Sequence, residues 1–418
     1  MPAVEAPTFV LRPASFADLP GWAGGDHTPA LIAFRQSCTA LTRRPDDQAF
    51  GRFAPYGGKV SDWRGVCAEA ASVAVSPDAA KAFFERAFVP QFVEARPDQM
   101  SKLTGYYEPI VQARRSFQPG FSEPFLPRPT DLVSIDMAAF DEEQKLSDAI
   151  AEDVTKGLSN DVPQELRPAI QATLDDRLTR RFRTPVWGQI SADGRSVKPF
   201  PRRSDIKVQN RAALAYAHPA DVYDTQVQGS ARVQFEDGAQ MRMAYDSQNG
   251  WRWNSIFGQL RARGDIQVAN KRGVKTWMDT QTPEAVRAAM DLDPSYVFFR
   301  LEPIGDPSLG PKGAQGVPLT PLGSMAVDPV AHPYGGLIYV DGAGPNAAGA
   351  QAPFQRLMAA QDTGGAIRRG PLRGDVFFGT GDGALALAEK MNAPARFWTL
   401  LPRALAEPKV AVAAAGPG

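Results

Sequence analysis

Three aspartates stand where apolar runs begin or end: Asp328 after "SMAV", Asp362 after "LMAAQ" and Asp375 before "VFF". Taken singly, an acid at a strand end is a turn residue whose carboxylate bonds the backbone two residues on. Three of them between residues 328 and 375 suggest more. If their strands pair in one barrel, the three ends can meet on one rim. Asp375 abuts Phe377 and Phe378. A carboxyl packed against aromatic rings loses solvent, which favours its neutral form and raises its pKa. That is what a general acid needs near neutral pH.

Other chemistries fit less well. "DVFFGTGDGALALAEKM" runs strand, then Gly379-x-Gly381-x-x-Ala384, then helix, which imitates a dinucleotide fingerprint. That fingerprint wants a further strand and an acid about 20 residues on, and only 34 residues follow Ala384. The glycines are better read as letting a strand turn sharply into a helix, with Asp382 as its N-cap. No Gly-x-Ser-x-Gly elbow, phosphate-binding Gly-x-x-x-x-Gly-Lys loop or His-Glu-x-x-His is present. Two cysteines, Cys38 and Cys67, and three scattered histidines, His27, His218 and His332, offer no zinc-ligand spacing. The cysteines are either buried thiols or a disulfide formed in an oxidising compartment. No metal and no cofactor is expected.

The elements that must position the aspartates are mostly strands. "SYVFFRL", "SMAVD", "GLIYVD", "RLMAAQD", "DVFFG" and "RFWTLLP" are short and separated by Gly and Pro. This pattern predicts a barrel rather than a doubly wound sheet. Upstream, "LTGYYEPIVQARRS" reads as strand, and "DTQVQGSARVQFEDGAQMRMAY" as a hairpin turning at "EDGA". The first hundred residues read as helical, with Ser76 capping "SPDAAKAFFERAF". "TPEAVRAAMDL" is a helix capped by Thr282, and residues 137–180 read as a helical insertion. The 418 residues suggest two or three domains. Lys+Arg and Asp+Glu are both 46, which argues against bulk capture of nucleic acid or an anionic membrane. The start has no basic segment followed by an apolar one, so the expectation is a cytoplasmic protein or a mature form without its leader. The tail after residue 405 reads as disordered.

The chain resembles the membrane-bound lytic murein transglycosylase A family, and its C-terminal part resembles the three-aspartate or "3D" domain. The resemblance is carried by residues 103–116, 226–235, 245–266, 293–300, 313–329 and 356–391. It implies a mainly β fold with α elements and two domains around a groove. One domain, with a double-psi β-barrel, would join residues 1–104 to 246–405. An inserted β-barrel domain would run from 105 to 245. The implied activity is cleavage of the β-1,4 bond between N-acetylmuramic acid and N-acetylglucosamine in peptidoglycan, leaving a 1,6-anhydro end.

In this resemblance Asp375 is the catalytic acid/base, and Asp362 and Asp328 are the other two aspartates, shaping its site. Tyr106, Tyr107, Gln228, Gly229, Ser230, Asn249 and Gly250 are glycan-binding candidates. Of the two tyrosines at most one can face the groove, since neighbours on a strand point opposite ways. Trp251 and Trp253 are candidates for sugar stacking, and Lys312 and Arg368 for stem-peptide carboxylates. The implied home is the periplasm, which favours a Cys38–Cys67 disulfide. The expected protein is a monomer acting on glycan strands without nucleic acid. Outer-membrane association would need a segment absent here, since no lipidation cysteine lies near the start. The rival readings are a conventional glycoside hydrolase and a non-catalytic peptidoglycan-binding module.

Overall fold

A computed structural model describes residues 9–97, 99–158, 162–167, 170–171, 174, 185–206, 212–367 and 370–406. Two compact units divide the chain. The aspartate unit takes residues 9–106, 308–379 and 383–406, and the central unit residues 107–307 with 380–382.

The N-terminal segment forms β1 (Phe9–Pro13), α1 (Thr28–Leu41), α2 (Ser61–Ser72), α3 (Pro77–Ala87), β2 (Phe88–Ala95) and β3 (Lys102–Glu108). There follow β4 (Ile110–Gln112), β5 (Glu123–Phe125), β6 (Leu132–Ile135), α4 (Met137–Gln144), α5 (Leu146–Lys156), β7 (Val186–Ile190), β8 (Val197–Pro199) and β9 (Ala215–Ala217). Next come α6 (Pro219–Gln228), β10 (Ser230–Gln234), β11 (Gln240–Gln248), α7 (Ile256–Arg263), α8 (Lys271–Met278), α9 (Pro283–Met290) and β12 (Val297–Glu302). The C-terminal segment adds β13 (Ser324–Val327), β14 (Leu337–Pro345), β15 (Gln351–Asp362), β16 (Arg373–Thr380), α10 (Asp382–Ala388), β17 (Asn392–Ala393), β18 (Ala395–Pro402) and the short helix α11 (Arg403–Ala406).

In the aspartate unit nine strands pair in the order β1-β2-β18-β14-β15-β13-β16-β3-β17. Most ladders are antiparallel, but β13 lies parallel to β15. Helices α1, α2 and α3 pack on this sheet through Phe34, Trp63, Phe83 and Phe84, which meet Leu337, Tyr339 and Leu400 in one buried core. Trp63 stacks on Phe50 with ring centroids 3.9 Å apart. Fully burying a side chain of this class stabilises the fold by roughly 1.5–3 kcal/mol. Cys38 of α1 and Cys67 of α2 lie in the same core and are joined as a disulfide, with Cα atoms 5.4 Å apart.

In the central unit β12-β11-β10-β4 form a four-stranded sheet, with the smaller sheets β5-β9 and β6-β7-β8. Hairpin β10–β11 turns where expected, with Gly238 at φ +82°. Ser76 caps α3 by accepting from Ala79 N, and Thr282 caps α9 by accepting from Ala285 N.

The structure corrects several expectations. The first hundred residues are not all helical, because Phe9–Pro13 and Phe88–Ala95 pair as antiparallel strands. Asp224–Gln228 are not strand but the end of α6, closed by Gly229 at φ +88°. The apparent alternation there is a helix with Val222, Tyr223 and Gln226 buried. Asp382 sits in the first turn of α10 rather than before it, a one-residue difference at a helix end. The second half of the helical insertion, including much of "QELRPAIQATLDDRL", lies outside the described residues, as does the tail from 407. The boundary drawn at Tyr245 falls inside β11, and the central unit continues to Pro307.

Candidate active site

Strand register assembles the centre of the aspartate unit. Ala326 on β13 is paired with Asp362 of parallel β15 on one side and with Asp375 of antiparallel β16 on the other. A bulge between Met325 and Ala326 brings Asp362 into that register. Neighbouring strands lie about 5 Å apart, so the two aspartates stand about 10 Å apart at their backbones. Strand β3 follows β16 in the sheet. Its residues 104 and 106 share one face, and each reaches one aspartate. Thr104 Oγ1 donates to Asp375 Oδ1 at 2.5 Å, and Tyr106 Oη donates to Asp362 Oδ2 at 2.9 Å.

Burial pushes the Asp375 carboxyl up to about 6, and the negative charge of Asp362 adds to the rise. The Thr104 hydroxyl and the Arg373 charge oppose it. Arg373, two residues before Asp375 on β16, is itself buried. Its Nη2 donates to Thr104 Oγ1 at 2.7 Å. A guanidinium only donates, so the hydroxyl's single proton is directed at Asp375 Oδ1. Oδ2 has no hydrogen-bond partner among the described residues. When Asp375 is protonated, the proton therefore belongs on Oδ2, the oxygen free to give it away.

Asp362 is held differently. Its Oδ1 accepts from the backbone N–H of Ala314 and of Thr363, both at 2.9 Å. Burial raises its pKa, while these donors and Tyr106 oppose the rise. Gln361 beside it is fully buried and donates to Ala33 O and Ser37 Oγ of α1 at 2.7 and 2.9 Å.

Asp328 follows β13 and is buried. Its Oδ1 accepts from Val330 N at 3.1 Å and its Oδ2 from Gly370 N at 2.9 Å. This is the turn geometry of a strand-end acid, and both its oxygens are engaged by backbone. Asp362 and Asp375 flank Ala326, and Asp328 ties two loops through its backbone hydrogen bonds.

In the central unit Tyr107 is buried and donates to Asp224 Oδ2 at 2.6 Å. Gln228 Oε1 accepts from Tyr107 N at 3.3 Å, and its Nε2 donates to Asp224 Oδ1 at 3.4 Å. Burial raises the Asp224 pKa, against Lys271, whose Nζ lies 3.2 Å away. Ser230 opens β10 next to capping Gly229. Asn249 is buried, with Nδ2 on Pro201 O and Pro294 O and Oδ1 accepting from Tyr296 N. Gly250 turns at φ +81°, where a Cβ would stand 3.0 Å from that of Trp187. Trp251 donates to Phe200 O with Arg202 over its ring, whereas Trp253 is 45% exposed. Lys312 is exposed, and Arg368 lies outside the described residues. Among the described residues no group of three His, Cys, Asp or Glu is arranged to hold a metal ion, and no helix is long and apolar enough to cross a membrane.

The model for the MltA specific insert domain matches residues 102–173 and 161–300, and that for the 3D domain matches residues 323–401. The chain belongs to the MltA family. Membrane-bound lytic murein transglycosylase A of Escherichia coli (strain K12) is 30% identical over 245 residues, covering 56% of this chain and 63% of that relative. The match thus spans less than two thirds of that relative's length. The crystal structure of a membrane-bound lytic murein transglycosylase from Agrobacterium tumefaciens is 27% identical with a TM-score of 0.70, covering 95% of this chain and 99% of that one. MltA from Neisseria gonorrhoeae is 26% identical with a TM-score of 0.70, covering 96% and 94%.

Within this MltA chain, sequence reasoning missed Thr104, Arg373 and Glu108. Thr104 was discoverable as the residue sharing a strand face with Tyr106. Glu108 is fully buried and takes Arg232 Nε and Arg242 Nε at 2.8 and 2.7 Å, with Thr380 Oγ1 at 2.8 Å. Nothing in its local sequence marks it, because its partners are more than 120 residues away.

Proposed function

We propose that this protein is a lytic transglycosylase that cleaves the β-1,4 bond between N-acetylmuramic acid and N-acetylglucosamine in peptidoglycan and leaves a 1,6-anhydromuramic acid end. The observation that carries this is Asp375, a carboxyl that burial pushes up to about 6, with one oxygen held by Thr104 and the other without a hydrogen-bond partner among the described residues. The family's named relatives support the same reading.

Asp375 Oδ2–H gives its proton to the glycosidic oxygen as the bond to the muramic carbon breaks. The sugar's own 6-hydroxyl then attacks that carbon, and Asp375 takes the hydroxyl proton. One carboxyl serves both steps, because the attack is intramolecular and enjoys a high effective concentration. A conventional hydrolase needs a second carboxyl to activate water or to attack. The nearest acid is Asp362, whose oxygens already accept two backbone N–H groups and a phenol. With its oxygens so engaged, Asp362 is poorly placed to activate water, which favours the transglycosylase over the hydrolase, and its charge raises Asp375 further. Asp328 supports the site as a loop anchor.

The parallel pairing of β13 with β15 supports reading the C-terminal strands as the double-psi β-barrel. We place the enzyme in the periplasm, where the Cys38–Cys67 disulfide can form. Digestion of sacculi by the wild type, with Asp375→Ala beside it, tests the reading by mass spectrometry. Muropeptides lighter by one water at muramic acid, released by the wild type alone, are expected. Hydrated reducing ends would make it a hydrolase, and binding without release would make it a glycan-binding module.

A further inference from the structure

A second charged site lies in the aspartate unit, on a cavity of about 350 Å³ walled by residues 21, 24–26, 345–347 and 353–356. Two opposite charges line it: Arg356 on β15 and Asp26 in the loop before α1. Each attracts the other electrostatically, yet no N···O approach between them falls within 4.0 Å. The Arg356 guanidinium has no hydrogen-bond or ion-pair partner among the described residues, and only the Phe354 ring lies beneath it, 5.6 Å away. It is partly buried, so burial works against its charge. One Asp26 oxygen accepts from Thr28 N, which fixes the carboxylate without neutralising it. Gly21, Gly24 and Gly25 form part of the wall; Gln355 and His27 fill the space beside Gly21 and Gly25, and the open space beside Gly24 lets a ligand approach the backbone.

Two unlike charges held apart across a small cavity match a ligand carrying both charges on adjacent groups. We infer that this cavity binds the zwitterionic head of an amino acid, its carboxylate on Arg356 and its ammonium on Asp26. An arginine fork suits a carboxylate, since its N–H groups can bond both oxygens. A simple anion would be repelled by Asp26 and a simple amine by Arg356, so the pair selects for the zwitterion. The head can come from a free amino acid or from a diamino acid within a peptide stem whose second amine and carboxyl are free.

Calorimetric titration of the full chain tests this with three probes: D-alanine, free diaminopimelic acid, and a muropeptide whose diamino acid keeps its free head. N-acetylated and amidated D-alanine serve as controls lacking one charge. Zwitterionic probes should bind, and loss of either charge, in the ligand or through Arg356→Gln or Asp26→Asn, should weaken binding about tenfold or more. Thermal melting of both variants should match the wild type, which separates lost recognition from lost fold. Binding of all three probes would show that the head suffices, and binding of the muropeptide alone would place the ligand on a stem. Equal binding of zwitterionic and blocked probes, or none by any probe, overturns the inference. Only the muropeptide probe rests on the function proposed above. Sacculus digestion does not need this cavity, so failure here and failure of the transglycosylase reading are distinguishable.

Discussion

Asp362 and Asp375 face the same residue, Ala326, from the two strands that flank β13. The register puts a second carboxyl, whose charge raises the first further, near an acid that burial has already raised to about 6. In the folded protein the ionised form of Asp375 is therefore disfavoured relative to the unfolded chain, where the usual value is 3.8. Between those values the native state holds more protons, so stability falls as pH rises from about 4 to about 6 and stays lower above. Asp375→Asn removes that penalty while keeping an oxygen for Thr104. Melting at pH 8 should be higher for the variant, by the equivalent of about 2–3 kcal/mol, and at pH 3.5 the two should converge. Equal Tm values at pH 8 would mean that the carboxyl is not desolvated.

The same titration sets the rate. The acid step needs protonated Asp375, so kcat/KM on sacculi should fall with rising pH through a limb near 6. Thr104→Val deletes a hydrogen bond that favours the carboxylate, and Arg373→Gln deletes a positive charge that does the same. Each should move the limb upward, Thr104→Val by about one to two pH units. Thr104→Ser, which keeps the hydroxyl, should restore the wild-type limb. A lower rate with an unmoved limb would make Thr104 merely structural.

Elements with local chemistry were legible in the sequence. Ser76 and Thr282 announce their helices through cap and proline, and Gly238 announces its hairpin. Asp375 could be singled out by the phenylalanines after it. The site's other half was hidden because register decides it. Thr104 meets Asp375 across 271 positions, and no residue type signals that. The bulge that aligns Asp362 with Ala326 is likewise silent in sequence. The last five residues of α6, Asp224–Gln228, read as strand in the sequence because Thr225 and Val227 sit at alternate positions in a run too short to show helical period. The cysteine pair was open until α1 and α2 were seen packed side by side.

The disulfide also bears on the site. Cys38 is one residue after Ser37, which with Ala33 holds the side chain of Gln361, the neighbour of Asp362. The bond closes a segment of sequence separation 29, and in the chain-entropy model it stabilises by about 3–4 kcal/mol. Reductant should lower the Tm, and alkylation without reductant should label no cysteine. Activity should fall with reduction at temperatures where α1 loosens, and Gln361→Leu should reproduce part of that loss without reductant. If the reduced protein melts as the oxidised one does, α1 is held by packing alone.

Asn249 was a glycan-binding candidate, yet its amide is spent on the protein itself. It holds the carbonyls of Pro201 and Pro294 and the amide of Tyr296, drawing three segments of the central unit together. Asn249→Ala leaves Pro201 O and Tyr296 N unmet, while Pro294 O keeps the backbone N–H of Arg203, at about 1–3 kcal/mol for each group stranded from water. The variant should melt several degrees lower than wild type. Well below that temperature its KM for glycan should be unchanged, because no atom of the amide is left to offer a sugar. A raised KM in fully folded protein would return Asn249 to the binding surface, with its hydrogen bonds exchanged on substrate entry.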